Sequence, residues 1–245
     1  MINVVCLKWG DKYTCEDVNK LAYMVSQSLS KDYQFYCITE DGNGLDESIQ
    51  TLPLFDEELE GWWHKLTLFR KDFYGLTGTT LFLDLDVVIT GSIDEIINYK
   101  PGQVIAAQDY GRCKWGEINS SVVRFEIGQL EYVWNGFLSN KQWVIENMHG
   151  DQDWLGRTAP QIAKIPSSWV VSYKKHCNSE APNFLGVGHK LIRKGWVKPT
   201  GEAVIPEGVK IILFHGKPDP VDVVKGPYMR WKSAPWILNY WPKAD

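Results

Sequence analysis

The sequence predicts an α/β protein with a mostly parallel central sheet flanked by helices. Two observations carry this. Short apolar runs alternate with amphipathic helical stretches through the first hundred residues. One of those runs, beginning at Thr79-Thr80-Leu81-Phe82-Leu83, ends in two carboxylates, Asp84 and Asp86. In sheets of this class ligands sit outside the carboxyl ends of the strands. The 245 residues, 44% hydrophobic and 23% charged, are enough for one large core.

The elements follow in order. Residues 2–7 read as a first strand. Residues 15–29 place Val18, Leu21, Ala22, Val25 and Leu29 at helical spacing. Residues 33–38 read as a second strand, and Glu40-Asp41-Gly42-Asn43-Gly44 as a turn. Residues 62–73 read as a helix with Trp62, Leu66, Phe69 and Phe73 on one side, followed by the strand at 81–83. Strand, helix, strand, helix, strand implies right-handed crossovers in one sheet. Later strands are expected at 103–107, 121–125 and 210–214. Residues 130–146 mix Trp, Gly and polar side chains without clean periodicity, and 149–155 open a polar helix. The tail from 220 to 245, rich in Pro and Trp, is expected to be irregular. One domain spans 1–245, with a nucleotide-binding half at 1–100 and a substrate half at 101–219.

Composition narrows the function. A net charge of −4 argues against general nucleic-acid binding. No apolar run reaches membrane-spanning length, and the first residues lack the basic start of a signal peptide, so a cytoplasmic protein without a transmembrane segment is expected. The five cysteines, Cys6, Cys15, Cys37, Cys113 and Cys177, are scattered without a C-x-x-C pair, so reduced thiols are expected. The twelve tryptophans, Trp115 and Trp196 among them, are the one oddity. Most suit packing, and a few suit stacking on sugar rings.

Asp84 and Asp86 stand i, i+2 where a strand is ending, so both can turn toward one ion. Two hard oxygen donors suit Mn²⁺ or Mg²⁺, which commonly bridges to substrate phosphates. A surface turn after a buried strand would use the same residues.

Several segments, taken with this one, resemble the GT-A-fold glycosyltransferases, Rossmann-like α/β proteins. The resemblance is to glycosyltransferase family 8 in particular, which contains glycogenin and the bacterial lipopolysaccharide galactosyltransferases. It runs from about residue 2 to 217. Trp63-His64-Lys65-Leu66 followed by Leu83-Asp84-Leu85-Asp86 matches the family's order of a Lys-Leu helix, an apolar strand and Asp-x-Asp. The resemblance implies that Asp84 and Asp86 bind Mn²⁺ (or Mg²⁺) and that Lys65 contacts the donor, a nucleotide sugar such as a UDP-hexose. Leu7, Trp9, Gly10 and Tyr13 would surround the nucleoside. Asn119-Ser120-Ser121 resembles the family's Asn-Ala-Gly, with Asn119 on the donor sugar; the two serines leave the sugar open. Asp151 and Gln152 resemble a segment that binds a sugar hydroxyl and lies beside the anomeric carbon. In His215-Gly216-Lys217-Pro218, His215 would be the third metal ligand, with Gly216 and Lys217 at the phosphates. That loop is shorter than the family's, so Lys225, Arg230 or Lys232 are alternatives to Lys217.

The resemblance implies transfer of a hexose to a hydroxyl acceptor with retained anomeric configuration. Two competing readings stand beside it. Haloacid-dehalogenase-like phosphatases also carry Asp-x-Asp after an apolar strand, though on the first strand of their domain. A carbohydrate-binding protein on an inactive transferase fold would use the tryptophans.

Overall fold

The computed structural model describes residues 1–111, 117–178 and 199–243. Cys113, Trp115 and Trp196 lie outside the described residues. A seven-stranded sheet runs in the order β3-β2-β1-β4-β7-β6-β8. Its strands are β1 (Ile2–Lys8), β2 (Tyr33–Thr39), β3 (Ile49–Leu52), β4 (Thr79–Leu83), β6 (Ile105–Gln108), β7 (Ile118–Glu126) and β8 (Ala163–Lys164). The first four strands in that order are mutually parallel, and β7 runs antiparallel between β4 and β6. A second, three-stranded sheet sets β10 (Ile211–Leu213) between β5 (Val87–Ile89) and β9 (Val170–Ser172).

The parallel half follows from its residues. Helix α1 (Cys15–Ser28) opens with the Asp17 carboxylate accepting from the Thr14 N–H at 2.9 Å, which satisfies one otherwise orphan donor. It buries Val18, Leu21, Met24 and Val25. Period-two alternation sends neighbouring strand residues to opposite faces. Val4, Cys6, Leu81 and Leu83 therefore join the core under α1, while Val5 and Phe82 join a second core with Trp63, Leu66 and Phe137.

Several expectations are corrected. The segment read as a helix at 62–73 is a 3₁₀ helix, Gly61–Phe69, and Phe73 lies beyond it. Trp63, His64 and Leu66 to Phe69 are all buried, so no polar stripe sets a 3.6-residue pitch. A short helix α2 (Asp94–Asn98) follows β5, and residues 130–146 hold two more helices, α3 (Glu131–Ser139) and α4 (Lys141–Asn147). Their periodicity is hidden because Tyr132, Leu138, Trp143 and Ile145 are exposed. Gly136 interrupts α3 where a Cβ would come 3.2 Å from the Trp154 ring. The tail contains a short helix, Pro220–Val224, and a 3₁₀ turn, Pro235–Asn239, each with Pro in its first turn, where its fixed φ suits a helix start. Strands β3, β5, β8 and β9 were not expected as separate elements; none exceeds four residues.

This architecture makes Asp84-Leu85-Asp86 the joint between two sheets. β4 ends at Leu83 in the large sheet, and β5 begins at Val87 in the small one. The joint is held at both ends, since the Asp84 N–H donates to Ser121 O at 2.9 Å and the Phe214 N–H donates to Asp86 O at 3.1 Å.

Candidate functional site

A cleft of about 360 Å³ opens at this joint. From the end of β1 comes Leu7, and from the β1–α1 loop come Trp9, Asp11, Lys12 and Tyr13. From the 3₁₀ helix come Gly61, Trp62 and Lys65, and Asp84, Leu85 and Asp86 form the floor. Three segments from the first hundred residues thus converge where the parallel strands end, as expected for a ligand site of this sheet class. Gly10 has φ +62, the left-handed region that favours glycine, and its N–H donates to Glu40 Oε1 at 2.6 Å.

The floor is a charge cluster. Lys65 Nζ lies 2.6 Å from Asp84 Oδ1 and 2.8 Å from Oδ2. Burial works against the Lys65 ammonium, but Asp151 and then Asp84 outweigh it and push its pKa up. Asp86 feels the Lys12 and Lys65 charges, but they do not offset its burial. Burial first, and the Asp84 charge second, raise its pKa to about 7. Asp151, buried as the first residue of α5 (Asp151–Thr158), is also raised, by burial and against the pull of Lys65. Tyr13 is pushed up by burial and by Asp86, so its phenol stays protonated; its oxygen accepts from Lys12 Nζ at 2.7 Å. Three carboxylates around one ammonium leave excess negative charge that a hard divalent cation would relieve.

His215 follows the residue that bonds to Asp86 O, so its backbone reaches the joint. Its Nε2 lies 2.7 Å from Ser172 Oγ. Burial, then the Lys174 ammonium, hold its pKa down, so it is the neutral imidazole that metals bind. Among the described residues no three His, Cys, Asp or Glu side chains gather closely enough to hold a metal. The expected set of Asp84, Asp86 and His215 is therefore not preassembled: His215 is engaged by Ser172, and Asp84 by Lys65.

The remaining expected residues divide. α5 packs on β7, which brings Gln152 and Asn119 to neighbouring positions. Gln152 Oε1 accepts from the Ser120 N–H at 3.3 Å, and Asn119 Oδ1 accepts from the Ser121 N–H at 2.9 Å. Asp151 is tied to this group through Ser120 and to the floor through Lys65. Gly216, at φ +62, carries the chain past Lys174. Lys217 does not face the cleft as a free charge: its Nζ lies 2.8 Å from Asp219 and 2.9 Å from Asp222.

Sequence reasoning missed Lys12, Trp62 and Lys174. The sequence places Trp62 on one side of a helix and gives Lys12, between Trp9 and Tyr13, no role. Lys174 follows the three-residue strand β9 and donates to His215 O at 2.6 Å, with the charges of Asp219 and Asp86 acting on it. Its only signal was the basic run Lys174-Lys175-His176 after a short apolar triplet. On the nucleotide-sugar reading that the resemblance implies, Lys217→Ala is expected to leave UDP affinity within about twofold, while Lys174→Ala lowers it several-fold. Isothermal calorimetry on the two variants checks this, and the reverse order would reinstate Lys217.

No sequence-family profile matches the chain, and no curated protein does. Solved structures do. The chain is similar to the galactosyltransferase LgtC, solved in complex with donor and acceptor sugar analogs, at 13% identity over 89% of this chain and 88% of that one, with a TM-score of 0.58. It is similar to the glycosyltransferase GlyE of Streptococcus pneumoniae TIGR4 at 13% identity, with a TM-score of 0.65 over 98% of this chain and 60% of that one. The bifunctional glycosyltransferase WbbM follows, at 12% identity and a TM-score of 0.56 over 98% of this chain and 51% of that one. The chain therefore has the GT-A fold of these glycosyltransferases. It spans about half the length of WbbM. Among the described residues no helix is long and apolar enough to cross a membrane.

Proposed function

We propose that the protein is a divalent-metal-dependent glycosyltransferase that moves a hexose from a UDP-sugar to a hydroxyl acceptor with retention. The observation that supports this most is the single cleft shared by Leu7, Trp9, Tyr13, Lys65, Asp84 and Asp86. Residues from three separate segments, 7–13, 65 and 84–86, meet there. In this reading residues 1–100 bind the nucleotide, 101–219 bind the donor sugar and acceptor, and 220–245 form the C-terminal tail.

The donor set fits a cation: two crowded carboxylates, one of them held partly protonated, with a neutral imidazole at the joint. Asp84 and Asp86 would hold Mn²⁺ or Mg²⁺, and His215 would complete the set on leaving Ser172. The cation's contribution is to neutralise charge growing on the departing diphosphate. Tyr13 and Trp9 hold the nucleoside end, with Tyr13 neutral and able to donate a hydrogen bond. Lys65 supplies a fixed positive charge beside the scissile phosphate and stays protonated throughout. Lys174 supplies a second. Asp151 and Gln152 orient the sugar hydroxyls, and Asn119 adds an amide from β7. Gln152 is an amide and a poor nucleophile. Front-face attack, with the leaving phosphate taking the acceptor proton, needs no protein base and fits these residues best.

The test is a nucleotide-sugar panel with Mn²⁺, UDP-glucose and UDP-galactose first, read by thermal shift and donor hydrolysis. Gln152→Ala is expected to cut kcat by about 10²-fold or more while UDP affinity stays near wild type. Hydrolysis of p-nitrophenyl phosphate with Mg²⁺ and no UDP binding would replace this reading with the phosphatase. Sugar binding that persists in EDTA without turnover would replace it with the inactive binding protein.

A further inference from the structure

We infer that Trp62 is the platform on which the acceptor stacks, and that the acceptor is therefore a pyranoside rather than a simple alcohol. This rests on the glycosyl-transfer reading above. An exposed tryptophan alone says little, since much of any protein surface is apolar. Other tryptophans here have a cation against the ring: Arg157 lies 5.0 Å over Trp143, and Lys20 lies 4.5 Å over Trp241. Trp62 is half-exposed and lines the cleft three residues before Lys65. It shares the cleft with Lys65 and packs against Gly150, next to the side chains proposed to orient the donor sugar, so a sugar bound beside the donor meets its ring.

Its position is built. Gly150, the residue before Asp151, sits so close that a Cβ would come 2.9 Å from the indole Nε1 and 3.1 Å from Cδ1. The His149 ring flanks it with centroids 6.1 Å apart, tilted at 45°. The backbone at Gly150 is extended, with φ 178, so the glycine is not needed for its conformation. It is needed for room. The start of α5 thus carries both the side chains proposed to orient the donor sugar, Asp151 and Gln152, and the seat of Trp62. A flat apolar face held there suits the apolar face of a second sugar ring.

The experiment compares methyl β-galactoside, methyl β-glucoside and glycerol as acceptors, with the donor at saturation and water hydrolysis recorded in parallel. Trp62→Ala is expected to raise the glycoside KM about tenfold and to lower the ratio of transfer to hydrolysis. Trp62→Phe should restore most of the loss. Gly150→Ala, which displaces the indole without straining the backbone, should move the glycoside KM the same way. Melting curves on all three confirm folding. Three results would overturn the inference: a glycoside KM unmoved in Trp62→Ala; equal falls in transfer and hydrolysis; or glycerol serving as well as either glycoside in the wild type. If the wild type neither binds UDP with Mn²⁺ nor hydrolyses any donor, the transferase reading itself falls.

Discussion

Lys65→Ala is expected to lower the melting temperature of the metal-free protein by roughly 5–10 °C, and Mn²⁺ with UDP is expected to recover most of that. The variant leaves Asp84, Asp86 and Asp151 facing one another without their shared ammonium. Removing one partner of a buried ion pair costs about 3–5 kcal/mol. Lys65 and Asp84 side chains are 13% and 20% exposed, so solvent lowers that to about 2–3 kcal/mol. For a chain of this size each kcal/mol shifts the midpoint by roughly 2–4 °C. A dication bound to the carboxylates replaces the missing charge, and the stability returns. The lost ammonium also weakens stabilisation of the leaving group, so kcat should fall by about 10²-fold or more even with metal present. Differential scanning calorimetry with and without Mn²⁺ and UDP provides the check. A metal-free midpoint equal to wild type would show that Lys65 is a surface lysine with no part in the cluster.

Asp86→Asn should move the metal-free protein the other way while abolishing metal-dependent UDP binding. Burial and the neighbouring Asp84 raise the Asp86 pKa from 3.8 to about 7. Below about pH 4 the carboxyl is protonated in both folded and unfolded chains and contributes nothing. Between about pH 4 and 7 the unfolded chain releases the proton and the folded chain keeps it. The folded state then binds more protons, so stability falls as pH rises across that window and levels off above it. Asn carries no such penalty. The variant's midpoint should match wild type near pH 4 and exceed it at pH 7.5, while its affinity for UDP with Mn²⁺ drops at least a hundredfold. Wild-type Mn²⁺ affinity should climb with pH up to about 7, because the proton must leave before the ion binds. Paired melting curves over pH 4–8 and calorimetry of UDP with Mn²⁺ decide it. Unchanged nucleotide affinity would show that the carboxylate is no ligand.

The cleft was largely legible because its parts are local. Asp84 and Asp86 follow an apolar run directly, Lys65 precedes it, and Trp9 to Tyr13 follow β1. Each signal fits within a dozen residues. The second sheet was not legible for the opposite reason. β5 and β9 have three residues each, too few to show a period, and although 210–214 reads as a strand and so places β10, its partners lie far along the chain. The engagement of His215 by Ser172 and the pairing of Lys217 with Asp219 and Asp222 are likewise tertiary facts. Helix α3 was obscured because Gly136 answers to Trp154 on another helix and not to its own neighbours.

The position of β10 between β5 and β9 has a kinetic consequence. β5 and β9 do not pair with each other, so the small sheet cannot begin until its middle strand exists, and that strand is the last among the described strands. Joining Ile211 to Ile89 closes a very long loop, whose entropic cost must be met before the contact stabilises anything. The parallel β1–β2–β4 unit lies wholly within the first 83 residues. On the ribosome the floor of Asp84 and Lys65 would form early, and the His215 side would arrive only after residue 215 has emerged. Until then the joint after Asp86 lacks its antiparallel partner, so a nascent chain carries the Lys65 and Asp84 side of the cleft without the segment that bonds to Asp86 O.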